Sequence, residues 1–201
     1  MKMKSKTALV TAASALLCAA LAAAQAPAAP AKSAMPMEKS SVQTGFRAEF
    51  LHQLDDVQKK ITSLAEAVPA DKYSWRPAPG VRSVGEVYMH IAAANLNLPR
   101  IWGVQPPAGI DSRGLEKQGD DKAKVAAALQ QSFAHIRRAV ETTPDADLDK
   151  AVKIFDHTGT VREAIFVAAN HMHEHLGQSI AYARSNGVVP PWSQGQGPAG
   201  R

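Results

Sequence analysis

Three observations predict an all-α protein, most simply a four-helix bundle. Four long stretches repeat apolar residues at threes and fours, two segments carry helix-start signatures, and strand-like alternation is nearly absent. The chain has 201 residues, 45% of them hydrophobic and 20% charged. That suffices for one domain with a sizeable core and is short for two. The bundle is assigned to residues 43–192, behind a signal peptide (1–24) and a flexible linker (25–42), with a disordered tail at 193–201.

The chain starts with the basic stretch "MKMKSK", then the apolar run "TALVTAASALLCAALAAA". Ala22 and Ala24 fit an A-x-A cleavage pattern, so the segment reads as a secretory signal and the protein as exported, periplasmic or secreted. An uncleaved anchor is the alternative, but an Ala-rich run partitions weakly into a bilayer, so no stable membrane insertion is expected after cleavage. Cleavage removes Lys2, Lys4 and Lys6, and the formal charge of +5 falls by three to about +2. The basicity is then largely targeting signal, and nucleic-acid binding is not expected. Cys18, the single cysteine, leaves as well, so any metal site must use His, Asp, Glu, Asn or water. "QAPAAPAKSAMPMEKSSV" is too rich in Ala, Pro and Ser to order itself.

The first helix is predicted over 44–68, where Phe46, Phe50, Leu54, Val57, Ile61, Leu64 and Val68 form one stripe and Pro69 ends it. "YSWRPAPGVR" is a loop. The second helix starts at Ser83: "SVGE" is a capping box, and Val84, Val87, Ile91, Ala94 and Leu98 are its apolar face. "GVQPPAGIDSRG" is an irregular connection. The third helix spans 121–141 on Val125, Leu129, Phe133, Ile136 and Val140. "AVKIF" has no evident strand partner and is read as an extended segment across the bundle. "TVRE" is a second capping box, opening a fourth helix that runs to Asn186, with Gly187 at its C-terminal stop.

That fourth helix carries "NHMHEHLGQ". At 100° per residue, His171 and His175 lie about 40° apart on one face and about 6 Å apart along the axis, while His173 points to the opposite side. Ala164, Val167, Ala168, Gln178 and Tyr182 share the His171/His175 face. Such a pair facing inward reads as metal ligands ahead of core polar groups. Among the remaining histidines, His90 sits on the buried side of its helix with Val87, Ile91 and Ala94, and is the best third ligand. His52 and His135 have charged neighbours and fit solvated faces, and His157 falls in a loop.

"YSWRPAPGVRSVGEVYMHIAAAN", followed far downstream by "NHMHEHLGQSIAYARSNGVVPP", resembles the DinB-like family, small damage-inducible four-helix proteins unrelated to the polymerase of that name. Trp75, Pro77, Ser83, His90, His171, His175, Gly177, Gln178, Tyr182, Arg184, Pro190 and Pro191 carry the resemblance, and Leu176 departs from the polar residue often found before Gly-Gln. The resemblance implies a site built from His90, His171 and His175, holding a divalent ion such as zinc or nickel. Some relatives are thiol-dependent transferases or isomerases.

Three imidazoles with an open position suit hydrolysis or Lewis-acid chemistry. Glu86, one turn before His90, is the candidate catalytic base, with its capping role the competing reading. Asn97, Gln178 and Trp75 are candidate substrate-binding residues, against core polar satisfaction for the first two and a packing role for Trp75. Glu174 is read as solvated. The expected function is a metal-dependent hydrolase or group transferase acting on a small molecule, or else a metal- or ligand-binding protein of the cell envelope. A homodimer is one assembly open to it, and the sequence does not fix the oligomeric state.

Overall fold

A computed structural model describes Val42 and residues 44–195, all within one compact unit. The signal segment, the linker before Val42 and the tail beyond Gly195 lie outside the described residues. Helix α1 spans Gly45–Ala67, α2 Val84–Asn97, α3 Lys122–Thr142 and α4 Val161–Ser185. Each agrees with its predicted range to within two residues. The predicted stripes form the core: Leu54, Val57, Ile61 and Leu64 from α1, Val87 and Ile91 from α2, and Val125, Leu129, Phe133, Ile136 and Val140 from α3 are all buried. Each such side chain contributes about 1.5–3 kcal/mol by leaving water. Among the described residues, no helix is long and apolar enough to cross a membrane.

The helix directions follow from contacts at their ends. Lys122 at the start of α3 donates to the carbonyls of Glu66 and Val68 at the end of α1 (2.7 and 2.6 Å). Arg47 at the start of α1 reaches Asp145 and the Glu141 carbonyl at the end of α3 (2.7 and 3.0 Å). Helices α1 and α3 are therefore antiparallel. Arg162 lies over the Phe46 ring, and Tyr182 meets Trp75 in the α1–α2 loop, so α4 runs with α1. The order is up, down, down, up, with α2 and α3 parallel.

A parallel pair cannot be joined by a short turn, so the chain from 98 to 121 must travel back along α2. It does so in register. Ser112 donates to Asn97 (3.0 Å), Glu116 accepts from His90 (2.8 Å), and Gly119 packs on Gly85. A Cβ on Gly85 would lie 1.8 Å from the Gly119 carbonyl oxygen, so only glycine admits this approach.

Three expectations are corrected. "AVKIF" is not a lone extended segment: β1 (Ala151–Ile154) pairs antiparallel with β2 (His157–Thr160), and His157 belongs to that strand. The hairpin turns at Phe155, whose φ of 48° is unusual for an aromatic residue, and no Asn-Gly or Gly-Gly pair marks it. "TVRE" makes only half of a capping box. Thr160 accepts from the Glu163 amide (3.2 Å), but the Glu163 carboxylate takes the His157 ring instead (2.8 Å). His135 is buried rather than solvated, on the flank of α3 opposite Arg137, which pairs with Asp55 of α1. The "SVGE" box is complete, with Ser83 amide to Glu86 at 2.7 Å and Glu86 amide to Ser83 at 3.2 Å.

Candidate metal centre

Helices α2 and α4 bring His90, His171 and His175 together, one donor atom from each lying within 4.8 Å of the others. The ring centroids are 4.4–5.0 Å apart and no two rings stack. The Nε2 atoms of His90 and His171 are 3.1 Å apart. Two imidazole nitrogens on one tetrahedral zinc, each about 2.05 Å from it, would be roughly 3.3 Å apart. The residues present therefore fit a divalent ion.

Outer partners orient two of the three rings. His90 Nδ1 donates to Glu116 (2.8 Å), which leaves its Nε2 as an acceptor facing His171. His175 Nδ1 donates to the Gln178 carbonyl (2.8 Å), and the Gln178 amide donates to the Tyr182 hydroxyl (3.0 Å). Trp75 meets the Tyr182 ring edge-on, centroids 5.4 Å apart, and completes that string. The Nδ1 of His171 is buried with no partner among the described residues. Metal-ligating histidines commonly carry such carboxylate or carbonyl partners, which fix the tautomer.

Glu116 was not found by sequence reasoning. It lies in a short turn, Leu115–Gln118, within the irregular crossover. Burial alone would raise its pKa, but Arg82 and His90 outweigh burial and hold the carboxyl below its usual range. Arg82 grips it with two bonds (2.9 and 3.3 Å). Glu116→Gln is expected to weaken metal affinity about 10–100-fold, measured by competition with a chromophoric chelator, while stoichiometry is kept.

Both Glu86 oxygens point elsewhere. One takes the Ser83 amide and the other Arg76 (3.0 Å). The Ser83 amide, against opposing burial and with help from Arg76, keeps Glu86 below the usual carboxylate range. The capping arrangement is the one present, and the carboxylate facing the imidazoles is Glu116. Asn97 donates to the Ala93 carbonyl (2.9 Å) and accepts from Ser112, so its amide is engaged. His173 is exposed and hydrogen-bonds the Ala169 carbonyl (2.9 Å), away from the cluster, and Glu174 is exposed. Two surface clefts of about 350 Å³ lie elsewhere, beside Trp102 and beside Trp192, and contain none of the three histidines.

Burial, then the neighbouring His175, His90 and Arg82, push His171 down to about 4. The unfolded chain would take up that proton near the ordinary value of 6.5. His171 thus contributes stability to the metal-free protein that is full above pH 6.5, falls as the pH drops and is lost below about 4. Burial also lowers His90, which acts in the same direction. Urea midpoints at pH 7, 5 and 4 should decline in that order, and His171→Phe should flatten the decline.

Several solved structures share this fold. A DinB-like protein from Bacillus cereus ATCC 10987 is 18% identical, with a TM-score of 0.63 over 71% of this chain and 93% of that one. The DinB-like protein YjoA from Bacillus subtilis is 19% identical (TM-score 0.56, 70% and 93% covered). YfiT from Bacillus subtilis, described as "a probable metal-dependent hydrolase with an unusual four-helix bundle topology", is 17% identical (TM-score 0.58, 76% and 94% covered). Comparison with curated proteins gives no match. The family model of the DinB superfamily matches residues 53–179, and the chain belongs to that superfamily.

Proposed function

We propose that this protein is an exported, metal-dependent hydrolase or group transferase acting on a small molecule at the three-histidine centre. The observation that carries this reading is the convergence of three imidazole donors within 4.8 Å, two of them oriented by outer partners. YfiT, with the same fold, is described as "a probable metal-dependent hydrolase", which supports it. Zinc or nickel suits three imidazole nitrogens. Such an ion supplies Lewis acidity and a nucleophile near neutral pH.

The chain's own residues hold the centre. Glu116 and Gln178 each hold a proton on the outer nitrogen of a ligand ring, so the inner nitrogen stays free. Trp75 packs edge-on against Tyr182, at the end of the string that starts at His175, and on this reading it contacts substrate. Export behind residues 1–24, to the periplasm or beyond, favours hydrolysis over transfer to a low-molecular-weight thiol, because such thiols are scarce in oxidising compartments.

One observation favours the alternative, a non-catalytic metal- or ligand-binding protein of the envelope. Glu86 is capped, and Glu116 is committed to His90 and Arg82. Elemental analysis of untagged protein should find about one divalent ion per chain. Turnover of an ester and amide panel should vanish on chelation and return with zinc or nickel. Metal without any turnover favours the binding protein, and a chain that takes up no metal removes the metal-dependent enzyme and leaves only a protein that binds a small ligand.

A further inference from the structure

We propose that the centre takes a substrate bearing an oxyanion, and that Arg82 holds that oxyanion. This rests on the metal reading above.

The first argument is charge. Three neutral imidazoles leave both charges of a divalent ion uncompensated. Two neighbouring ion pairs cancel internally: Arg76 with Glu86 (3.0 Å) and Arg82 with Glu116 (2.9 Å). A loaded centre therefore carries a net double positive charge in a partly desolvated setting. Leaving such charge unpaired is costly, so the open position favours an anion.

The second argument is geometry. Arg82 spends Nε and Nη2 on Glu116, and its Nη1 makes no hydrogen bond among the described residues. Glu116 in turn holds His90, so the guanidinium is fixed one carboxylate away from a ligand ring. Its side chain is 42% exposed and open to a ligand. Arg76 is less available, because its two terminal nitrogens are bound by the Val81 carbonyl (2.7 Å) and by Glu86. A guanidinium whose orientation is already set loses little freedom on gripping a carboxylate or phosphate.

The test uses the full chain loaded with cobalt(II), whose visible spectrum reports the ion's surroundings. Benzoate and, separately, inorganic phosphate are titrated in. Saturable spectral changes are expected from at least one. Tighter benzoate points to a carboxylic substrate and tighter phosphate to a phosphate ester. Arg82→Gln should weaken the anion about tenfold or more, and Arg82→Lys should weaken it less. Glu116→Gln separates the two roles, since it should weaken cobalt while the anion still binds the loaded protein. Cobalt uptake with the same anion affinity in wild type and Arg82→Gln overturns this proposal alone. No cobalt uptake by the wild type overturns the metal reading, and this proposal with it.

Discussion

His175→Ala is expected to abolish uptake of a divalent ion. His175 is buried, supplies one of three inner nitrogens, and anchors the string through Gln178 to Tyr182. The loss should exceed the 10–100-fold that follows from removing an outer partner such as Glu116. Elemental analysis gives one readout and thermal unfolding the other. A ligand that binds only the folded state stabilises it by about 4 kcal/mol when free ligand stands a thousandfold above Kd. Zinc should therefore raise the Tm of the wild type and leave that of His175→Ala unmoved. His173→Ala should bind as the wild type does, because that ring is exposed and turned to the Ala169 carbonyl. If His173→Ala proves the worse variant, the assigned cluster is wrong.

The same small substitution at two glycines should have opposite effects. In a helix, glycine is about 1 kcal/mol less favourable than alanine. Gly177, within α4, has open space where a Cβ would go, and Gly177→Ala should stabilise by about that amount. Gly85, in the first turn of α2, faces the Gly119 carbonyl, and an added Cβ would sit 1.8 Å from its oxygen. That neighbour is backbone and cannot rotate away. Gly85→Ala should cost about 1–3 kcal/mol or more, as overpacking does. It should also weaken metal binding, because the displaced segment carries Glu116. Urea unfolding of both variants checks the signs, and a stabilised Gly85→Ala would contradict the close approach.

The helices were legible because α1 and α3 each present one regular stripe, such as Leu54, Val57, Ile61 and Leu64, and because Ser83 and Gly187 punctuate α2 and α4. His171 and His175 were legible as a pair because one helix relates them. Glu116 was not, because no periodicity places a residue of an irregular connection against a helix. The pairing of Gly85 with Gly119 is the signal that could have suggested it, but either glycine alone reads as a local breaker. The hairpin was hidden by Phe155 in a position where glycine is usual. His135 misled because nearby Arg137 and Arg138 suggest water, whereas Arg137 is turned to Asp55 and His135 is buried on the opposite flank.

The crossover also bears on the order in which the molecule assembles. Helix α2 packs on α3 and α4, and it meets α3 only once 98–121 has been laid back along it. Contacts distant in sequence form at a higher entropic cost and tend to come later. Glu116 lies 26 residues from His90, whereas His171, on α4, lies 81 residues from it. A nascent chain would thus set Glu116 against His90 before α4 delivers the other two imidazoles. In the native state, a transient release of the crossover would loosen the ion without unfolding the helices that bind it. Hydrogen exchange in the crossover should slow when metal is added, and the rate of metal release should follow the rate of that local opening.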